Sequence, residues 1–245
     1  METLLNAAAN QLRAARHVAV LTGAGTSAES GIPTFREAQT GLWARYRPED
    51  LATPGAFARQ PEVVWSWYAW RRELVQRAEP NAGHRALVGL ARRVPLLALI
   101  TQNVDGLHQR AGSEAVIELH GNILRTVCSA CGRLADTGHA DSPPPRCPTC
   151  GGILRPDVVW FGEPLPRVAL EAAVAAVQSA DVLLVVGTSG LVEPAASLPR
   201  LALARGASVI EVNPVATPLS AAATLVLKGT AGEILPRLLA LMDSE

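Results

Sequence analysis

At 245 residues the chain can bury a substantial core, as one large domain with insertions or as a large and a small one. Lys+Arg and Asp+Glu both total 22, so the formal net charge is zero. That balance argues against electrostatic capture of nucleic acid or of an anionic membrane, and an acidic group would have to be met locally.

The first predicted helix, roughly Thr3 to Ala15 with Arg13 and Arg16, has neither an uninterrupted apolar core nor a small-residue cleavage site, so no secretory signal is expected. No run is apolar for long enough to cross a bilayer. Cytoplasmic residence is expected, because all four cysteines fall in two CxxC pairs rather than being dispersed as in a secreted disulfide framework.

Six short apolar runs read as buried strands: His17 to Thr22, Leu96 to Thr101, Val116 to Leu119, Val182 to Val186, Ser208 to Val212 and Thr224 to Leu227. Most do not alternate, as expected for a parallel sheet covered on both faces. Helical patterns at Arg85 to Arg93, Arg167 to Ser179, Ser197 to Arg205 and Ala231 to Met242 separate them, and this alternation predicts a doubly wound, Rossmann-like α/β sheet. Phe35 to Pro80 contains no predicted strand and every tryptophan except Trp160, while Arg125 to Pro156 contains the cysteines. Both read as insertions that pack together. The expected division is a Rossmann-like domain of residues 1–35, 81–124 and 157–245, beside a small domain with a helical part, 36–80, and a zinc-ribbon part, 125–156.

The first strand ends in TGAGTSAESGIP, where Gly23, Gly25 and Ala28 fit GxGxxA. Such glycines let a backbone approach a pyrophosphate at a helix N-terminus, although a ligand-free tight turn would look the same. A dinucleotide-dependent dehydrogenase would carry an acidic ribose ligand about 20 residues further on. Here that region is Pro33-Thr34-Phe35-Arg36 and a polar loop, so hydride transfer is disfavoured. Asn213 and Gly187-Thr188-Ser189, at other strand ends, are alternative ribose sites.

Cys128, Cys131, Cys147 and Cys150 have the spacing of a closed tetrathiolate zinc site, with paired disulfides or a redox dithiol as competing readings. Four thiolates leave no vacant position for water, so the zinc is structural and His120, in ELHG, is not needed as a ligand. The strand Leu96 to Thr101 runs into Gln102, Asn103 and Asp105, polar groups poorly suited to packing and well suited to orienting a ligand. Parallel pairing would bring them to one edge with His120. A lone histidine is by default structural, and His84 and His108 are read so. Its strand-end position beside these groups makes His120 the candidate base.

GAGTSAESGIPTFR, TQNVDGLHQRAG, ELHG, the paired CxxC, VVWFGE, GTS and EVNP occur in the order and spacing of the sirtuins, and the chain resembles that family from about His17 to its end. The resemblance implies an NAD-consuming protein-lysine deacylase, with acyl-lysine peptide and NAD meeting between a Rossmann-like and a zinc-bearing domain. By the same match, Gly23, Ala24, Phe35 and Arg36 belong to the cofactor loop. Gln102, Asn103 and Asp105 line the nicotinamide and its ribose, and Gly187, Ser189, Asn213 and Ala231 contact the adenosine side. The segment containing Val159, Phe161, Gly162 and Glu163 pairs with an extended substrate backbone. In the implied mechanism the acyl oxygen displaces nicotinamide, giving an alkylimidate. His120 then helps deprotonate a ribose hydroxyl, which attacks that carbon, and water releases lysine and acyl-ADP-ribose. An imidazole titrating near its ordinary value of about 6.5 suits that role.

Tyr68 and Arg71, three apart on a predicted helix Pro61 to Ala78, share a face and could receive a carboxylate. They match the YxxR pair of the sirtuin class that removes acidic acyl groups, and Ala52 matches the residue that widens the acyl pocket there. Succinyl and malonyl removal is therefore expected, with deacetylation beside it. The bland alternative pairs Arg71 and Arg72 with Glu62 or Glu73 on the surface. Two other functions remain open at this point: protein ADP-ribosylation on the same scaffold, and a non-enzymatic zinc-ribbon binding module. No basic stripe surrounds the cysteines, so no direct nucleic-acid contact is expected, and a monomer is.

Overall fold

The computed structural model describes residues 1–33, 46–135 and 143–244. Helix α1 (Glu2–Ala14) leads into β1 (His17–Thr22), whose bare apolar sequence is buried along almost its whole length. Three helices follow: α2 (Pro48–Leu51), α3 (Pro54–Arg59) and α4 (Pro61–Arg77). Thr53 caps α3 by accepting the Ala56 N–H, and prolines open all three helices, where a missing N–H costs nothing. The chain then runs through α5 (Ala82–Ala91), β2 (Leu96–Thr101), α6 (Leu107–Arg110), β3 (Ile117–Glu118), β4 (Gly121–Cys128) and β5 (Leu154–Val158). It closes with α7 (Arg167–Ser179), β6 (Val182–Val186), α8 (Leu198–Ala204), β7 (Ser208–Asn213), β8 (Leu225–Lys228) and α9 (Ala231–Asp243).

Six strands form one parallel sheet in the order β3-β2-β1-β6-β7-β8. The predicted doubly wound architecture is therefore present. Strand side chains alternate between the two faces. Val18, Val20, Leu184 and Ile210 pack against Leu5 and Leu12 of α1, Leu87 of α5 and Leu235 of α9, while Ala19, Leu21, Leu183 and Val209 pack against Val177 of α7 and Leu198 of α8. Two buried faces explain why the interiors of these strands are mostly apolar without alternation. Strand order reverses between β1 and β6, the switch point at which open α/β folds form a ligand crevice.

The chain between β3 and α7 holds the main departure from the sequence reading. The Arg125 to Pro156 stretch is flanked and entered by an antiparallel pair, β4 with β5, whose register shifts between Asn122 and Thr126. A proline and an arginine within LRPDV hid β5 from pattern reading. β3 is also shorter than the predicted Val116 to Leu119 run. Gly121 at the start of β4 has φ +78, and a Cβ there would lie 2.2 Å from the Asp157 carbonyl, so only glycine lets the chain turn here, directly after His120.

Candidate functional site in the crevice between β1 and β6

The glycine loop after β1 and the loop after β6 interlock. Gly23 N–H donates to Val186 O at 3.0 Å, and Gly25 N–H donates to Gly187 O at 2.8 Å. Gly187 sits at φ +59, and a Cβ on Gly25 would lie 2.8 Å from its carbonyl oxygen. Close approach of two loops at the switch point is thus sufficient reason for these glycines. The loop continues as two short 3-10 turns, Ala24–Thr26 and Ala28–Ser30, so it offers backbone N–H groups without a long helix dipole behind them.

Polar side chains from β2 converge on this loop. Asn103 donates its amide to Gly23 O and to Ser27 Oγ, both at 3.1 Å, and Ser27 Oγ donates in turn to Asp105 Oδ2 at 2.7 Å. Asp105 Oδ1 accepts the Leu107 N–H, and burial pushes its carboxyl above the ordinary range against these hydrogen bonds. Gln102 donates to Thr188 Oγ1 at 2.9 Å, and Asn213 donates to Thr188 O at 2.9 Å, tying the ends of β2 and β7 to the loop after β6. Ser189 is exposed beside them, and Ala231 is buried at the first turn of α9. Phe35 and Arg36 lie outside the described residues.

His120 is half-buried, and its Nδ1 lies 2.9 Å from the Gln102 carbonyl. A carbonyl only accepts, so Nδ1 carries the neutral ring's proton and Nε2 keeps a lone pair. Burial lowers the imidazole below its ordinary value, opposed by that hydrogen bond, so the ring is more firmly neutral near pH 7 than the sequence implied.

Two histidines read as structural lie directly behind this layer. His84 Nδ1 accepts the Asn81 N–H in a capping box at the start of α5, and its Nε2 faces Ser27 Oγ at 3.4 Å. His108 Nε2 lies 2.9 Å from Thr22 Oγ1, and the two rings pack with centres 4.8 Å apart and planes tilted by 55°. Burial lowers them to about 4 and about 3. Ser27 was missed by the sequence reading. Its only signal was its position two residues after Gly25, because its partners lie far along the chain.

The small lobe places Tyr68 and Arg71 on one buried face of α4. Burial lowers the Arg71 guanidinium against the pull of Tyr68 and Asp105, and its Cζ sits 5.2 Å from the Trp67 ring centre. Burial lifts the Tyr68 phenol well above its ordinary 10, and its oxygen accepts Trp160 Nε1–H at 2.9 Å. The surface alternative fails: Glu73 pairs with Arg77 at 3.3 Å, and both Arg71 and Arg72 are buried. Arg72 instead donates to Ile123 O, Arg125 O and Thr126 Oγ1. Ala52 is buried, and its carbonyl accepts the Phe161 N–H at 2.9 Å, while the Val159 N–H donates to His120 O at 3.0 Å. Glu163 spends both oxygens on Arg155, and one also accepts the Trp160 N–H. Phe161 and Gly162 are exposed between these ties.

The four cysteine Sγ atoms lie within 4.8 Å of one another. Cys128 and Cys150 are 3.5 Å apart and Cys131 and Cys147 are 3.8 Å apart, too far for disulfides of about 2.05 Å. A tetrahedral Zn–S shell of about 2.3 Å requires sulfur separations of about 3.8 Å, so the donor set fits zinc. Backbone N–H groups at Ala130 and Cys131 point at Cys128 Sγ and help hold it as a thiolate. His120 is not a member of the cluster.

A crevice at the switch point of a parallel sheet is where open α/β folds take dinucleotides, so the class is a dinucleotide-binding α/β protein with an added metal-bearing lobe. The profile of the Sir2 family matches residues 23–194. The NAD-dependent protein deacylase 2 of Pyrobaculum aerophilum is 54% identical over 231 residues, covering 94% of this chain and 92% of that protein. A solved Sir2 homolog in complex with NAD superimposes with a TM-score of 0.90 at 49% identity, covering 99% of this chain and 93% of that one. A Sir2 protein bound to a myristoylated histone peptide superimposes with a TM-score of 0.81 at 36% identity, covering 99% and 97%. The chain belongs to the Sir2 family. It is an enzyme of the NAD-dependent protein deacylase type.

Proposed function

We propose that this deacylase removes acidic acyl groups, succinyl and malonyl foremost, from lysine side chains of proteins or peptides, with deacetylation persisting beside them. The observation that carries the proposal is the buried Arg71 guanidinium beside the Tyr68 hydroxyl on one face of α4. A guanidinium already stripped of water gains more from a planar carboxylate than an exposed one does. A neutral acetyl group would forgo that charge-assisted contact without blocking the pocket. The histone-peptide complex of the relative supports an acyl-lysine peptide as the substrate class.

In this reading His120 is the general base, its Nε2 lone pair set by the Gln102 carbonyl, and Asn103 and Asp105 orient the nicotinamide ribose end of NAD. Gly23, Ala24, Phe35, Arg36 and Gln102 complete that side, and Gly187, Ser189, Asn213 and Ala231 hold the adenosine end. The Val159 to Glu163 segment meets the substrate backbone. The N–H groups of Val159 and Phe161 are engaged by His120 O and Ala52 O, which fixes the path of this segment. Cys128, Cys131, Cys147 and Cys150 hold a structural zinc. The division into 1–35, 81–124 and 157–245 against 36–80 and 125–156 belongs to the same proposal, as do a monomeric state, cytoplasmic residence and the absence of direct nucleic-acid binding. Among the described residues no helix is long and apolar enough to cross a membrane.

The test is to incubate the protein with NAD and peptides identical except for acetyl, succinyl, malonyl or glutaryl lysine, following lysine and nicotinamide release by mass spectrometry. Arg71→Met should weaken desuccinylation by about ten- to a hundredfold more than deacetylation, the scale of a lost charge-assisted hydrogen bond. Equal losses on both peptides would refute the carboxylate role. His120→Ala should reduce acyl removal by about 10² to 10⁴ with zinc content unchanged, and a loss of zinc would count against its assignment as base.

A further inference from the structure

Trp160 lies in the segment matched to substrate-backbone pairing, yet its side chain turns inward and is 2% exposed. Its indole N–H donates to Tyr68 Oη at 2.9 Å. An indole N–H can only donate, whereas a phenol has one O–H and two lone pairs. The contact therefore fixes Tyr68 as the acceptor here and leaves the phenolic proton to point elsewhere. Burial keeps that proton on the oxygen, so Tyr68 remains a neutral donor.

The indole is itself held on several sides. The Arg155 guanidinium carbon sits 3.4 Å from the ring centre, and the Phe57 ring packs at 5.1 Å. Arg155 donates to both oxygens of Glu163 and to Val158 O, and Glu163 accepts the Trp160 backbone N–H. The residues on either side of Trp160 are tied to His120 O and Ala52 O. One side chain thus joins the segment beside His120 to the face of α4 that carries Tyr68 and Arg71.

We propose that Trp160 is a positioning residue for acyl selectivity: its indole N–H holds the Tyr68 hydroxyl so that the phenolic proton is presented to a carboxylate at the end of the acyl chain. The proposal rests on the acidic-acyl reading above. It differs from plain packing, which phenylalanine would also supply. A hydrogen bond received by the phenol oxygen also polarises its O–H and makes it a better donor.

The experiment compares kcat/KM for succinyl and acetyl peptides in Trp160→Phe, Tyr68→Phe and the double variant, each checked for zinc content and melting temperature. Trp160→Phe should lower the succinyl-to-acetyl ratio of kcat/KM by roughly three- to tenfold, mainly through KM for the succinyl peptide, the scale of one net hydrogen bond. The double variant should be no worse than Tyr68→Phe, because the two changes remove one interaction. Equal losses on both peptides, or full additivity of the two changes, would reduce Trp160 to packing and overturn the proposal. An unchanged succinyl-to-acetyl ratio in Trp160→Phe alone overturns it too, while a ratio unchanged in Tyr68→Phe and Arg71→Met defeats the acidic-acyl reading itself. A readout independent of turnover is the Trp160 indole N–H resonance, which should be slow to exchange with solvent in the parent and faster in Tyr68→Phe. Identical exchange in both would likewise tell against the hydrogen bond.

Discussion

The sheet lobe and the cysteine-bearing half of the small lobe solve the same problem by different means. The sheet has two largely apolar faces, each covered by helices, and the candidate polar residues gather at the C-terminal strand ends. Among the described residues the cysteine half contributes only Cys128, Cys147 and Leu154 to a small buried cluster with Trp65 of α4, with Ala135 beside them. Its neighbour α4 is tied to it by a buried cation, Arg72, which donates to two β4 carbonyls and a threonine hydroxyl and lies 5.0 Å from the centre of the Trp65 ring. Where the chain is too short to bury apolar area, metal–thiolate bonds and one desolvated guanidinium stand in for it. The same helix α4 carries Tyr68 and Arg71, so the weaker half supports the proposed acyl receptor.

Removing the metal should break this contrast most severely. A strong chelator, or Cys128→Ser, should unfold the β4–β5 region while the sheet lobe stays folded, since structural zinc contributes about 10 kcal/mol or more to small sites. Hydrogen exchange resolved by peptide would show protection lost from 121–158 and retained in β1, β6 and β7. Uniform loss across both lobes would mean that the sheet also depends on the metal.

Arg72→Met tests the guanidinium tie. It leaves the Ile123 and Arg125 carbonyls and the Thr126 hydroxyl without their donor, and stability in urea should fall by about 2–4 kcal/mol, partly offset because no buried charge remains. A neutral or stabilising result would show that the packing with Trp65 suffices.

A third effect is on the sheet side and depends on pH. His84 and His108 are lowered to about 4 and about 3 in the folded protein, chiefly by burial. The unfolded chain therefore binds protons that the folded one refuses. The stability they contribute is complete above about 6.5 and is lost as pH falls below it toward 4, by up to about 1.4 kcal/mol per pH unit for each ring. Asp105, raised by burial, works in the opposite sense at the lower end of this window. Urea unfolding at pH 7.5 and 5.0 should show the decline, and His108→Gln should flatten it.

Much of the sheet was legible because its signals are local. Leu96 to Thr101 and Val182 to Val186 match their strands residue for residue, the second because a strand buried on both faces is apolar throughout. The candidate polar residues were legible for a related reason: Gln102, Asn103 and Asp105 follow immediately on such a strand, and nothing in packing asks for them there. β5 was not legible, because LRPDV has no strand pattern and is held by its pairing with β4. Ser27, His84 and His108 were also missed as a unit, since their partners lie 57 to 86 residues away in the chain.

The sequence by itself determined the period of the buried strands, the tetrathiolate spacing and the polar residues at strand ends, because each is written in neighbouring residues. Only the tertiary structure decided that His120 leans on the Gln102 carbonyl, that Arg72 ties α4 to β4, and that Trp160 reaches Tyr68. Those contacts depend on which strands and helices become neighbours in space. Hydrogen bonds act over about 3 Å, and no local pattern specifies which distant residue will arrive within that distance.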